Sequence, residues 1–345
     1  MSHIPRASDG WICLLYVRKH LNIHFSLQEV QMKKAPDKVY IEDSGAGRRL
    51  KSFAYNAKVA PYVFIAPFVI VFLVFYVYPI ISGFVMSFQN VVPGQTKFVG
   101  WKNYKILTNR EFKKAIRNSV VYTVATLITL LPIPMFMAVL LNSKKMVAKG
   151  FFRSVFFLPA LVSVVVGGFT FRLIFGELPT SLLNSVTAKF GVEPMKWLGG
   201  PKQWTTYLAL LVLAIWRWLG VNTIYYLSGL QNIPDELYES ADIDGATGWQ
   251  KFAKITMPLL KPTTIYVLTI SIYGGLAMFL ESYMLFNGNN SPNNSGLTIV
   301  GFLYKVGWQQ NKYGYASAVG IVLLLVTLVI NLIQLKATGF FNKEG

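Results

Sequence analysis

Hydrophobic positions in this chain seldom alternate with polar ones at the period of a half-buried strand or a surface helix; they run together in long blocks. A helix needs ~20 mostly apolar residues to cross the hydrocarbon core of a bilayer. Six blocks meet that length, at 60–88, 120–141, 151–175, 205–230, 263–286 and 315–335, and each is predicted to be one spanning helix. The first carries Pro61, Pro67 and Pro79, and the second carries Pro132 and Pro134. Proline is tolerated inside a membrane where neighbouring helices re-satisfy the carbonyls it frees, so these positions predict a packed bundle rather than isolated anchors. The expected fold is all-α and polytopic, with residues 1–59 as a polar tail and 60–342 as the membrane domain. Residues 1–31 precede Met32-Lys33-Lys34, add neither a span nor a repeat, and read as an extension outside the core. The first block begins near residue 60 and is too long for a signal-peptide core.

Composition agrees with the blocks. Hydrophobic residues make up 53% of the chain and charged ones 14%, against ~25% charged in ordinary soluble domains. The formal net charge is +18, which on a polar surface would suggest nucleic-acid binding. Here apolar blocks interrupt the charge, so a basic membrane protein is predicted and no nucleic-acid partner. Counting Lys and Arg in the connections and tails, with Arg153 at the edge of the third block included and the N-terminus taken as cytoplasmic, gives nineteen inside and twelve outside. The excess points to cytoplasmic N- and C-termini. The basic run at 48–58 is expected to meet anionic headgroups beside the first span. Glu111-Phe-Lys-Lys-Ala-Ile-Arg117 reads as an amphipathic helix at the outer interface.

Cofactor chemistry is not visible. Cys13 stands alone, and His3, His20 and His24 all lie in the tail, so no metal site and no bound cofactor are expected. The chain has no Gly-Lys dipeptide, which removes the phosphate-cradling loop of a P-loop ATPase.

One inner connection is too patterned to be a plain loop. Residues 233–262 contain Pro234 and then Asp235, placed to cap a helix, with Glu236 and Glu239 in its early turns, where negative charge suits the dipole. Leu237 and Ala241 stand four apart on one face. Gly245 can take the left-handed conformation that stops this helix, and Thr247 can cap a second. In that second helix Trp249, Phe252, Ala253 and Thr256 share a face, and Pro258 is expected to end it. Five acidic residues make this helix–turn–helix a poor match for an anionic membrane surface and favour docking to another protein.

This segment resembles the EAA loop of ABC-importer permeases: Glu239, Ala241, Asp244, Gly245, Ala246, Phe252, Ile255, Pro258 and Pro262 match, while Ser240 replaces an Ala and Met257 a Leu. Similarity to the carbohydrate subfamily runs from about residue 60 to 342, through Phe98-Val-Gly-Trp-Lys-Asn-Tyr104, Trp216-Arg-Trp-Leu-Gly220 and Gly314-Tyr-Ala-Ser-Ala318. The resemblance implies the type I importer fold, six transmembrane helices with a cytoplasmic coupling loop, acting in a bacterial inner membrane as a non-enzymatic sugar permease by alternating access. It implies as partners a second, homologous permease, two ATPase subunits that hold ATP and Mg²⁺, and an extracytoplasmic solute-binding protein. Glu239, Ser240, Ala241, Asp244, Gly245, Ala246 and Phe252 would then dock on an ATPase.

Intramembrane polar groups are costly and mark function. Glu281 is the one carboxylate well within a block, with Ser271, Tyr283 and the Gly274-Gly275 pair nearby; Asn222 and Thr223 lie on the fourth. Sugar hydroxyls need donors and acceptors, and sugar rings need aromatic faces. The resemblance adds Leu219, Gly220 and Met278, and places Thr223, Ser271, Gly274 and Gly275 with them at the solute cavity. Two alternatives stay open: an ion-coupled transporter acting alone through Glu281, or an ABC permease for a non-sugar solute such as a phosphorylated polyol.

Overall fold

The computed structural model describes residues 58–143, 146–200 and 203–340. The polar tail up to residue 57, with Cys13, the histidines and nearly all of the basic run, lies outside the described residues. The chain divides into two units, 1–73 and 74–345. The described part of the first is the helix Ala60–Phe72, with Pro61 in its first turn and Pro67 inside.

Among the described residues, four helices are long and apolar enough to cross a membrane: Ala60–Ser87, Arg110–Asn142, Gln203–Gln231 and Tyr313–Ala337. Two further candidates are bent pairs. The second span starts earlier than its hydrophobicity suggests. Asn109 caps it by accepting the Phe112 N–H at 2.7 Å, and Glu111 to Arg117 form its first turns rather than a separate interfacial helix. Phe112 and Ala115 are buried against Phe302 and Val306, while Glu111 reaches Lys305 at 3.2 Å, so tertiary packing draws this segment into the span. Between the first and second spans, a hairpin pairs Gln89–Val92 with Gln95–Phe98 through a turn at Gly94, whose φ is +76°.

The third and fifth blocks are not single straight helices. The third breaks between Lys149–Leu161 and Val164–Ile174, which meet at 94°. Val162 and Ser163 are extended there, and Arg217 from the fourth span donates from Nη1 to the freed Val162 carbonyl at 2.9 Å. The fifth block runs as Lys261–Leu276, pauses at 277–279 and resumes as Leu280–Leu285. The pause follows Gly274-Gly275, two residues of poor helix propensity.

The second span is also interrupted, at Leu131, before Pro132–Asn142. Pro134 has no N–H to give the carbonyl of Leu130. Asn222 supplies the missing donor, Nδ2 to Leu130 O at 3.1 Å. The fourth span, Gln203–Gln231, is unbroken over 29 residues and packs against the second and third. At its far end Leu227 and Leu230 pack with Ala138, Leu141 and Leu260 under the 233–262 connection. Toward the opposite end Leu210 and Leu213 pack with Phe171, Phe175 and Trp197. Most outward-facing side chains of the spans are large and apolar, as a lipid-facing surface requires.

Candidate functional site

Two features stand out: a cavity among the second, fourth and fifth spans, and the elbow 233–262 that joins the fourth to the fifth.

The cavity has a volume of about 280 Å³. The second span contributes Tyr122, Thr126 and Leu130; the fourth contributes Trp218 and Asn222. The fifth brings Ile270, Ser271, Tyr273, Gly274, Gly275 and Met278, and Glu281 enters from the helix after its pause. Six of the ten residues expected at a solute site line it: Asn222, Ser271, Gly274, Gly275, Met278 and Glu281.

The other four lie elsewhere, each for a packing reason. A Cβ at Gly220 would fall on the carbonyl of Phe156, so this glycine serves the close crossing of the third and fourth spans. Thr223 is buried and turns its hydroxyl back to the Leu219 carbonyl at 2.7 Å, one helical turn away. Leu219 therefore takes part through its backbone on the same turn. Tyr283 packs at a tilt on Phe279 and edge-on to Tyr304, ring centroids 5.1 and 5.3 Å apart, outside the cavity lining.

Sequence reasoning missed the second-span wall. A signal for it existed: Tyr122, Thr123, Thr126 and Thr129 recur at helical spacing within an otherwise apolar block. Thr123 and Thr126 bond back to carbonyls of their own helix, Oγ1 to Ser119 O at 2.7 Å and to Thr123 O at 2.8 Å. Such polar residues look locally satisfied and do not announce a cavity.

In the elbow, the helix Asp235–Ile243 is preceded by Pro234, which occupies the capping position expected for Asp235. Proline holds the extended backbone a cap needs, and Asp235 and Glu236 fall in the first turn. Gly245 has φ of +73°, with its N–H on Asp242 O at 3.1 Å and the Ala246 N–H on Ala241 O at 2.9 Å, a left-handed stop. Thr247 and Gln250 form a reciprocal capping box. The second helix does not end at Pro258. After Gly248–Lys251 the chain widens into a π turn, Phe252–Thr256, in which the Met257 N–H reaches Phe252 O. It continues as Met257–Leu259 and then meets Lys261–Leu276 at 65°.

No residue of Asp235–Ile243 is buried. Ile243 is 87% and Trp249 73% exposed, the latter against Phe252 at 5.5 Å between ring centroids. Glu239, Ser240, Ala241, Asp244, Gly245 and Ala246 thus share a surface with exposed apolar side chains and negative charge.

A family model described as "Binding-protein-dependent transport system inner membrane component" matches residues 106–336. The arabinooligosaccharides transport system permease protein AraP of Bacillus subtilis (strain 168) is 54% identical over 291 residues, covering 84% of this chain and 92% of that protein. The lactose transport system permease protein LacF of Rhizobium radiobacter is 32% identical, covering 80% and 93%. A chain of a bacterial ABC transporter involved in the import of the acidic polysaccharide alginate superposes with a TM-score of 0.73 at 26% identity, covering 86% of this chain and 100% of that one. The architecture is that of a type I importer permease, a transport subunit and not an enzyme. With a family match across most of its spans and a relative at 54% identity, the chain belongs to the binding-protein-dependent transport system inner membrane components.

Proposed function

We propose that this permease imports oligosaccharides rich in arabinose, admitting one end of the sugar to the cavity among the second, fourth and fifth spans. The substrate class follows that of the 54% identical permease of Bacillus subtilis. The lining suits it: Trp218 and Tyr122 offer ring faces, while Asn222, Ser271 and Glu281 offer hydrogen-bonding groups. The volume of 280 Å³ lies just below the ~300–1,000 Å³ of typical ligand pockets, room for the end of a chain rather than its whole length.

The observation that carries the mechanism is the position of the elbow. It joins the fourth span to the fifth, which contributes more of the cavity lining than any other. Along the unbroken fourth span, Trp218 is about 20 Å from Gln231 at 1.5 Å per residue, a rigid link from wall to elbow. In this reading the exposed acidic and apolar face of the elbow docks on an ATPase that holds ATP and Mg²⁺. Closure of two such ATPase subunits moves the elbow and turns the cavity outward. A second permease completes the pathway, and an extracytoplasmic binding protein delivers the sugar, as the periplasmic protein in a complex of the alginate transporter suggests. Both termini then lie in the cytoplasm. Only an ATPase that binds the two permease states unequally can drive the change.

The test is reconstitution with the companion permease, ATPase and binding protein. Uptake of arabino-oligosaccharides that requires both ATP and the binding protein is the expected result. Uptake by this chain alone on a proton gradient, or binding-protein preference for a phosphorylated polyol, would overturn it.

A further inference from the structure

No residue of the helix Asp235–Ile243 is buried, and its one aromatic side chain faces the bundle. Tyr238 is half-buried, and its ring packs on the cluster that includes Leu141 and Leu230 from two spans and Leu260 just before a third. Its hydroxyl meets Thr256 Oγ1 at 2.9 Å, and Thr256 is 5% exposed. A second tie, Lys251 Nζ to Asp242 Oδ1 at 2.6 Å, lies on the solvent side, where water and salt weaken it. The Tyr238 bond is shielded and keeps its strength.

The stretch this bond reaches is compliant by itself. From Phe252 to Pro262 the backbone carries a π turn, lacks the N–H groups of Pro258 and Pro262, and bends by 65°. Single π turns recur at functional positions in helices. Displacement of the elbow entering such a joint would be absorbed there before reaching Ser271, Gly274 and Gly275 on the next helix. The hydrogen bond ties the first elbow helix to Thr256 at the end of the π turn, and the Tyr238 ring packs on the cluster that includes Leu260 at the bend, so the two contacts together take up that slack.

We propose that the Tyr238–Thr256 hydrogen bond is the brace that passes elbow movement into the fifth span, making Tyr238 a positioning residue for coupling. This rests on the permease reading above and adds the route of transmission. Tyr238→Phe keeps the ring and its packing and removes only the hydroxyl; Thr256→Val removes the partner; Thr256→Ser retains it. Each is to be reconstituted as the complete transporter, with arabino-oligosaccharide uptake and ATP hydrolysis measured on the same vesicles.

The expected result is a several-fold fall in sugar carried per ATP for Tyr238→Phe and for Thr256→Val, at wild-type complex yield. The double variant should be no worse than either single one, and Thr256→Ser should match wild type. An unchanged ratio overturns the proposal. So does a parallel loss of uptake, hydrolysis and assembled complex, which is what a merely structural role would give. Absence of ATP-driven uptake in the wild-type vesicles would instead sink the permease reading, and the brace with it.

Discussion

Gly274 and Gly275 are adjacent in sequence and both line the cavity, yet the structure assigns them opposite tolerances. A Cβ at Gly275 would sit 2.6 Å from Thr123 Oγ1, 2.9 Å from its Cγ2 and 3.0 Å from its Cβ. Thr123 cannot swing aside freely, because its branched side chain has few rotamers in a helix and its hydroxyl is bonded to Ser119 O at 2.7 Å. Overpacking costs about 1–3 kcal/mol and loss of that bond about 0.5–1.5 kcal/mol. Replacing glycine by alanine in a helix returns about 0.8–1 kcal/mol. The net for Gly275→Ala is a destabilisation of about 0.5–4 kcal/mol.

At Gly274 a Cβ meets nothing within 4 Å. Gly274→Ala should therefore fold at least as well as wild type, while Gly274→Leu should place its side chain across a cavity of only 280 Å³. A single misplaced methylene in a binding site is worth about 1–3 kcal/mol, or roughly 10–200-fold. The assay pairs the thermal unfolding midpoint in detergent with oligosaccharide uptake in vesicles. Gly275→Ala should lower the midpoint, and Gly274→Leu should preserve the midpoint and lose uptake. A wild-type midpoint for Gly275→Ala, or normal uptake by Gly274→Leu, would refute the assignment.

Three further outcomes follow from named contacts. Gly245→Pro removes both the φ of +73° and the N–H bonded to Asp242 O, so ATP-driven uptake and co-purification with the ATPase should be lost while the chain stays in the membrane; retained co-purification would contradict docking through this turn. Asn222→Leu strips the carbonyl of Leu130 of its donor, at about 1–3 kcal/mol for a buried unpaired group. Pro134→Ala restores a backbone donor, so the same change should cost measurably less in that background, as a thermal double-mutant cycle would read. Glu281→Ala should raise the sugar concentration needed for half-maximal uptake without weakening ATPase co-purification; an unchanged dependence removes Glu281 from the site.

The six apolar blocks, the left-handed stop at Gly245 and the Thr247 cap were legible because each depends on neighbours within one helical turn. The breaks were not. Residues 162–163 are Val and Ser, with no glycine or proline between the two halves of the third block, and the carbonyl that stabilises the bend is held by Arg217, 55 positions away. Asp235 reads as a cap by residue type, and only the extended backbone of Pro234 shows that the helix begins one residue earlier. At the cavity, charge and polarity pointed to the fourth and fifth spans. The third wall stayed hidden because Thr123 and Thr126 satisfy themselves on their own helix. Gly220 carried the opposite ambiguity: the absent side chain that would admit a solute also admits the Phe156 backbone.

The breaks and the unbroken fourth span belong to one design. Two neighbouring spans each lose a backbone hydrogen bond within the membrane, at Leu130 before Pro134 and at Val162, and an unpaired carbonyl in hydrocarbon costs several kcal/mol. Both carbonyls are satisfied from the same helix, by Asn222 on the side of the second span and by Arg217 on the side of the third. A cation at residue 217, midway along 29 residues, would itself be costly in lipid; bonded to the open carbonyl end of a helix it meets partial negative charge instead. Span four is therefore a post that stabilises its neighbours' bends with side chains rather than with continuous backbone. Side-chain donors can follow a moving carbonyl through a small rotation, whereas a helical backbone bond cannot do so without breaking. Bends pinned in this way can flex around a straight post that runs directly into the elbow, which is the mechanical arrangement an alternating cavity requires.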